Sequence, residues 1–228
     1  MRESATYSDA ARDAARLTLC LADEPALLHR RSHRRPLWRL QSLRTRRVYW
    51  TTSEQEYQAL LLLDADPTIT DVELHPGDVR LWCGGVEHDW RPEFLVSRAL
   101  EREFWCLADA TTKSAAANLD VLREQLSLQG YGLVVMPWAQ WCRPAALELA
   151  TLVRQHARRD VDLPTRERIR RALAEQGHAS WADITAGRLA DLPVGAVSRL
   201  IFEGVLRLNP SDRLRPDTRV EANSSRVR

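Results

Sequence analysis

An α/β fold is what the sequence predicts, and three observations carry the prediction. A capped apolar helix opens at Ser53, four short strand-like stretches follow between residues 68 and 108, and a second helix leads into the apolar run YGLVVM. With 228 residues and 44% apolar content, the chain holds enough material for one larger domain and a small one.

Residues 1–48 carry no clean periodicity, although Ala10 to Leu21 fits a short helix. Charge is more informative there. This stretch has 11 arginines against 5 acidic residues, a balance of +6, which leaves −4 for the remainder of a chain whose net charge is +2. No acidic residue lies between Glu24 and Glu54, while Arg30, Arg31, Arg34, Arg35, Arg39, Arg44, Arg46 and Arg47 are interleaved with Trp38, Tyr49 and Trp50. Guanidinium groups without opposing carboxylates, set among aromatic rings, suit a phosphate backbone. The alternative is a solvated arm of an arginine-biased chain, in which Lys113 is the only lysine.

Ser53 is a good N-cap with Glu56 three residues on, and Tyr57, Leu60, Leu61 and Asp64 continue one helical stripe until Asp66-Pro67 stops it. Strands are expected at Thr68–Leu74, Asp78–Cys83, His88–Val96 and Glu103–Ala108, with turns at HPGD and CGGVEH. A helix at Ser114–Gln129 places Ala115, Leu119, Leu122 and Leu126 on one side and stops at Gly130. After Pro144 a helix runs to about Arg159, and RRDVDLP has the composition of a linker. Helices at Thr165–Gln176, Ser180–Ala186 and Val194–Phe202, followed by the strand-like GVLRLN, form the pattern of a winged helix-turn-helix. The expected division is an arginine-rich arm (1–48), an α/β core (49–160), a winged-helix-like domain (161–209) and a flexible tail (210–228).

Several classes are excluded on composition. The longest aliphatic run, Ala59 to Leu63, falls far short of the ~20 residues of a membrane span. No signal-peptide layout is present at the N-terminus, so a cytoplasmic, nucleoid-associated location and no membrane partner are expected. Cys20, Cys83, Cys106 and Cys142 are widely spaced, which predicts free thiols rather than a zinc knuckle or a disulfide framework.

The segment HDWRPEFLVSRALEREFWCLAD bears on chemistry. Metal-dependent hydrolysis of a phosphodiester needs several oxygen ligands aimed at one point and a cation nearby. A strand presents residues i and i+2 on one side, so a carboxylate on one strand and two groups on its neighbour can converge. Here the pattern offers Glu93 on the first strand, and Phe104, Cys106 and Ala108 on one face of the second.

These segments resemble the TnsA-type endonuclease subunits of heteromeric cut-and-paste transposases, within the PD-(D/E)xK nuclease group. The resemblance runs from about Arg46 to Val220. SEQEYQALLLLDADPTITDVELHP is similar to that family's opening helix and strand, and matching places its metal-site glutamate at Glu56. WRPEFLV resembles its Pro-Asp-Phe strand, with Glu93 in place of aspartate. EFWCLAD occupies the strand that carries Glu or Gln, any residue, then Lys, and the match falls on Cys106 and Ala108. LVVMP and a winged-helix-like end complete it. Singly, Ser-x-x-Glu is also a capping box and Glu93 an ordinary strand carboxylate.

The resemblance implies a restriction-endonuclease-like core, Mg²⁺ if the site is active, DNA at a transposon end or target, and two partners: a DDE-type transposase and an AAA+ ATPase regulator. The departures imply an inactive or very weak site. Glutamate at 93 is one methylene longer than aspartate where ~0.5 Å placement matters. A thiol at 106 is a poor ligand for hard Mg²⁺, and Ala108 supplies no charge. Lys113, five residues beyond, is the one ammonium able to replace it. Three functions follow: a DNA-binding assembly subunit that does not cut, an endonuclease cutting the 5′ ends of the element through Glu56, Glu93 and Lys113, or a stand-alone DNA-binding or defence protein on a decayed nuclease fold. His75 reads as a turn residue, and Trp138 and Trp141 as packing.

Overall fold

The structure is a computed structural model, and it describes residues 15–21, 36–108, 116–189, 193–208 and 214–223. Arg30, Arg31, Arg34, Arg35 and Lys113 lie outside the described residues, as do the first five residues, 10–14, of the helix expected at Ala10–Leu21. The chain is mixed α/β and divides into two compact units. One draws on Met1–Arg39, Tyr49–Glu56 and Ile69–Trp141, the other on Leu40–Val48, Tyr57–Thr68 and Cys142–Arg228. This division differs from the expected consecutive domains, because residues 40–48 and 57–68 group with the C-terminal part.

In the first unit, β4 (Asp71–Leu74), β7 (Phe94–Ser97), β8 (Arg102–Ala108) and β9 (Tyr131–Pro137) form one sheet in that order. β4, β7 and β8 are antiparallel neighbours, whereas β8 and β9 run parallel and are joined through α2 (Ala116–Leu128). A parallel neighbour requires such a crossover. Gly130, at φ 80°, takes the left-handed conformation that ends α2 and turns the chain into β9.

β2 (Trp38–Gln41) and β3 (Val48–Thr51) form a two-stranded sheet, and another has the order β1 (Arg16–Leu21), β5 (Gly77–Cys83), β6 (Val86–Trp90), all antiparallel. Gly84 and Gly85, at φ 59° and 79°, supply the positive φ values that a two-residue hairpin turn requires. β1 corrects the helix expected up to Leu21. Leu17 and Leu19 alternate with exposed Arg16 and Thr18, a period of two that places the leucines inside. The inner face of this sheet contributes Val79, Leu81 and Cys83 to a core completed by Leu95, Phe104, Val121, Leu122, Leu126 and Leu133. Phe104 is its centre, fully buried, with Trp90 edge-on at 5.9 Å and Tyr131 tilted at 5.1 Å.

The strand expected over His88–Val96 is two strands in two sheets. Pro92 divides them, since it lacks an N–H and pushes Arg91 out of ladder geometry. Arg91 Nε instead meets Asp78 Oδ1 at 2.9 Å. Glu93 therefore sits in the bend just before β7 rather than within a strand.

In the second unit, α4 (Pro144–His156), α5 (Leu163–Gln176), α6 (Trp181–Thr185) and α7 (Val194–Phe202) accompany a small sheet of β10 (Ala179–Ser180), β12 (Arg219–Ala222) and β11 (Leu206–Leu208). Asp162 caps α5 by accepting from Thr165 N at 2.8 Å, Gly177 closes it at φ 77°, and Ser180 caps α6. The buried side chains of Ile169, Leu173, Trp181, Ile184, Val197, Leu200 and Val220 form its core. β12 corrects the flexible tail expected over 210–228. Val220 is fully buried, and β12 is the central strand joining β10 to β11. No helix among the described residues is long and apolar enough to cross a membrane.

Candidate functional site

Four side chains of the first unit gather at the start of the helix α1 (Glu54–Ala65), the end of β4, the bend before β7 and the end of β8: Glu56, His75, Glu93 and Cys106. The local sequence explains each placement. Ser53 Oγ accepts from Glu56 N at 3.3 Å, so Ser53 caps α1 and Glu56 lies in its first turn, but the reciprocal half of a capping box is replaced: Ser53 N donates to Thr51 Oγ1 at 3.1 Å. His75 follows β4 at φ 51°, a left-handed conformation that costs a non-glycine residue of order 1 kcal/mol. Its N–H donates to Glu93 O at 2.8 Å, tying the strand end to the bend that carries Glu93.

Glu56 is the best-satisfied group of the cluster. Its Oε2 accepts a short hydrogen bond from the Thr51 hydroxyl, and its Oε1 lies 3.4 Å from His75 Nε2. Burial pushes its pKa upward, but the hydrogen bonds from His75 and Thr51 and the attraction of the imidazolium outweigh it and hold the carboxyl below its ordinary value. His75 responds in the opposite sense. The hydrogen bond to Glu56 raises its pKa against burial, with further attraction from Glu56 and Glu93.

Glu93 Oε2 accepts the backbone N–H of Leu107 at 3.0 Å, which binds it to the neighbouring strand. Burial dominates its titration and lifts its pKa, despite that hydrogen bond, and Glu56 adds like-charge repulsion. Cys106 is pushed up to about 11, by burial first and then by the Glu93 charge, while a hydrogen bond from Trp90 acts the other way. At neutral pH it is a thiol, and only the thiolate is a strong metal ligand.

The sequence places Phe104, Cys106 and Ala108 on one face of a strand, and β8 runs unbroken through all three. Phe104 is consumed by the core. Cys106, half-buried, reaches Glu93 and Trp90. Ala108 ends β8 opposite Pro137. Glu56, Glu93 and Cys106 are thus brought together as expected, and His75 joins them unexpectedly. Its signal was faint: a histidine before Pro76-Gly77 reads as a turn residue, and nothing in its spacing reveals the left-handed φ that aims it at Glu56.

These residues do not fit a hard divalent ion as they stand. The His75 imidazole and the Thr51 hydroxyl take the two Glu56 oxygens, a backbone amide takes Oε2 of Glu93, and beside the other Glu93 oxygen stands a neutral thiol. Among the described residues, no group of three His, Cys, Asp or Glu side chains converges as metal ligands do.

The arginines divide. Arg39, Arg46 and Arg47 are exposed, with Arg39 5.8 Å from the centre of the Trp50 ring. Arg44, expected to meet DNA, is built into the second unit instead. It donates to Phe202 O at 3.1 Å and Asp64 O at 3.4 Å and lies 4.5 Å over the Phe202 ring. Arg199 is similarly committed, to Glu203 at 2.7 Å and Asp160 at 2.9 Å. Trp138 and Trp141, the two ends of the short helix α3 (Trp138–Trp141), pack edge-on at 6.5 Å, and Trp141 meets Trp105 at 5.5 Å.

No protein-family model matches the chain, and no curated protein is significantly similar to it.

Proposed function

We propose that the chain is a DNA-binding and assembly subunit of a heteromeric transposition complex, built on a restriction-endonuclease-like core whose cutting chemistry is lost. One observation carries this reading: the carboxylates at the expected metal positions are bonded within the protein, and an imidazole stands against Glu56 where a nuclease would need a metal. His75, whose pKa is raised chiefly by its hydrogen bond to Glu56, supplies positive charge to this carboxylate when protonated.

The order helix, strand, strand, strand, crossover helix, parallel strand supports the nuclease-like core, with β5 and β6 as an inserted hairpin. The three helices α5 to α7 with the sheet β10-β12-β11 support a winged-helix-like unit. Exposed Arg39, Arg46 and Arg47, continuing the arginine run of the preceding segment, supply the phosphate contacts. A DDE-type transposase and an AAA+ ATPase are the partners this reading assigns.

The test is fluorescence anisotropy of labelled duplex DNA across a salt series. Binding that weakens steeply with salt, and a slope that decreases by about one per arginine in Arg39→Ser and Arg47→Ser, supports the reading. Salt-independent binding, or none at low salt, overturns it.

A further inference from the structure

The outer face of the sheet β1-β5-β6 carries a second site, remote in kind from the carboxylate cluster. Alternation along the strands sends Arg16, Thr18, Arg80, Trp82, Glu87 and Asp89 outward while Leu17, Leu19, Val79 and Leu81 point into the core. Trp82 is the anomaly. An indole in the middle strand of a sheet is 47% exposed, with charged residues as its partners on both neighbouring strands. Register places it directly between Arg16 on one side and Glu87 on the other. Arg80, one step along the same face, is held by Asp89 at 3.5 Å and Glu87 at 3.9 Å. Arg16, Thr18, Arg80, Trp82 and Glu87 line a shallow pocket of about 460 Å³.

An indole with a carboxylate on the strand to one side and a guanidinium on the strand to the other selects its ligand by chemistry. Indole faces stack on bases, and such stacking is largely blind to which base it meets. A carboxylate accepts only, so it discriminates by asking for adjacent donors. Among the four bases, guanine alone offers two neighbouring donors on its pairing edge, N1–H and the N2 amino group; adenine, cytosine and thymine each place an acceptor there. A guanidinium binds phosphate oxygens in a two-pronged fashion. A cationic peptide is disfavoured, since Arg16 and Arg80 stand on the same face. The pocket volume lies in the range of small-molecule sites.

We propose that this face binds an unpaired guanine nucleotide of single-stranded DNA: the base stacks on Trp82, Glu87 accepts from N1–H and N2–H, and Arg16 holds the adjoining phosphate. The pairing edge must be open, so duplex DNA is not a ligand of this pocket. The recognition of guanine is independent of whether the carboxylate cluster cuts DNA, while the choice of DNA as its source rests on the proposed function.

Calorimetric titration of the full chain with dGMP, dAMP, dCMP and dTMP tests it, followed by a thymine pentanucleotide with one central guanine. dGMP is expected to bind at least about tenfold tighter than the other three, and the guanine-containing pentanucleotide tighter than all-thymine. Trp82→Ala lowers guanine affinity about tenfold or more. Glu87→Gln brings dGMP to the level of dAMP, and Arg16→Ser brings dGMP to the level of deoxyguanosine. Should Trp82→Ala fail to fold, Glu87→Gln, of nearly equal volume at an exposed position, decides. Equal affinity for the four nucleotides, preference surviving in Glu87→Gln, or dGMP bound without preference for the guanine pentanucleotide each overturns the proposal. Duplex binding unchanged in Trp82→Ala separates this site from the arginine contacts.

Discussion

Replacing His75 by asparagine probes the contact on which the cluster depends. Asparagine tolerates the left-handed φ of 51° far better than most residues, so His75→Asn removes the imidazolium while sparing the backbone. At 3.4 Å, two unit charges interact by about 5 kcal/mol at an effective dielectric of 20. The His75 side chain is 39% exposed, however, and water screens it, which brings the pair towards the upper end of the exposed range, about 1 kcal/mol. A double-mutant cycle of His75→Asn and Glu56→Gln, read by urea denaturation, should return a coupling of that size at pH 5.5. The sign with pH follows from the directions of the shifts. His75 is raised, so its contribution is complete below its ordinary 6.5 and is lost as pH climbs through the raised value. Glu56 is lowered, so its contribution is complete above its ordinary 4.5 and is lost as pH falls through the lowered value. The coupling should therefore be largest between those two ordinary values and mostly gone at pH 9. A coupling of zero at pH 5.5, or one equal at pH 5.5 and pH 9, would refute the reasoning.

Three further outcomes are expected. Glu93 is raised by burial, so its ionised form opposes folding; Glu93→Gln, which keeps an acceptor for Leu107 N–H, should increase urea stability at pH 8 and change it little at pH 4. Asp64 is 5% exposed and accepts from Ser42 Oγ at 2.6 Å and Leu43 N at 3.2 Å, with Arg154 Nε at 3.6 Å; Asp64→Ala should cost about 3 kcal/mol or more by the same assay. Cys106, at about 11, should resist iodoacetamide at pH 7.5 while exposed Cys20 is alkylated first, as peptide mapping would register; equal rates for the two would contradict the burial and charge assigned to Cys106.

Much of the architecture is written in local chemistry. Ser53 with Glu56, Gly84-Gly85, Gly130, Asp162 with Gly177, and Ser180 each mark an element end, because caps and positive-φ turns are decided by a few adjacent residues. The misses have non-local causes. Leu17 and Leu19 alternate like a strand, but they acquire that role only by pairing with Leu81 and Val79 some sixty residues away. Val220 lies in a stretch poor in apolar residues, and β12 is held by that one buried valine together with ladder bonds to two strands and the Trp181 N–H to Thr218 O bond. At the site, strand alternation pairs only Glu93 with Cys106, although Glu93 lies in the bend before β7, and Glu56 is placed beside them by the resemblance alone. The His75 contact is not legible, since it depends on a left-handed residue and a helix 19 positions earlier.

The most direct measurement of the central claim is nicking of supercoiled plasmid by the purified chain in Mg²⁺ and in Mn²⁺, with Glu93→Ala alongside. Carboxylates already bonded to Thr51, His75 and Leu107 predict identical, background conversion to open circles for both proteins in either ion. Metal-dependent nicking by the natural chain that disappears in Glu93→Ala would contradict the account.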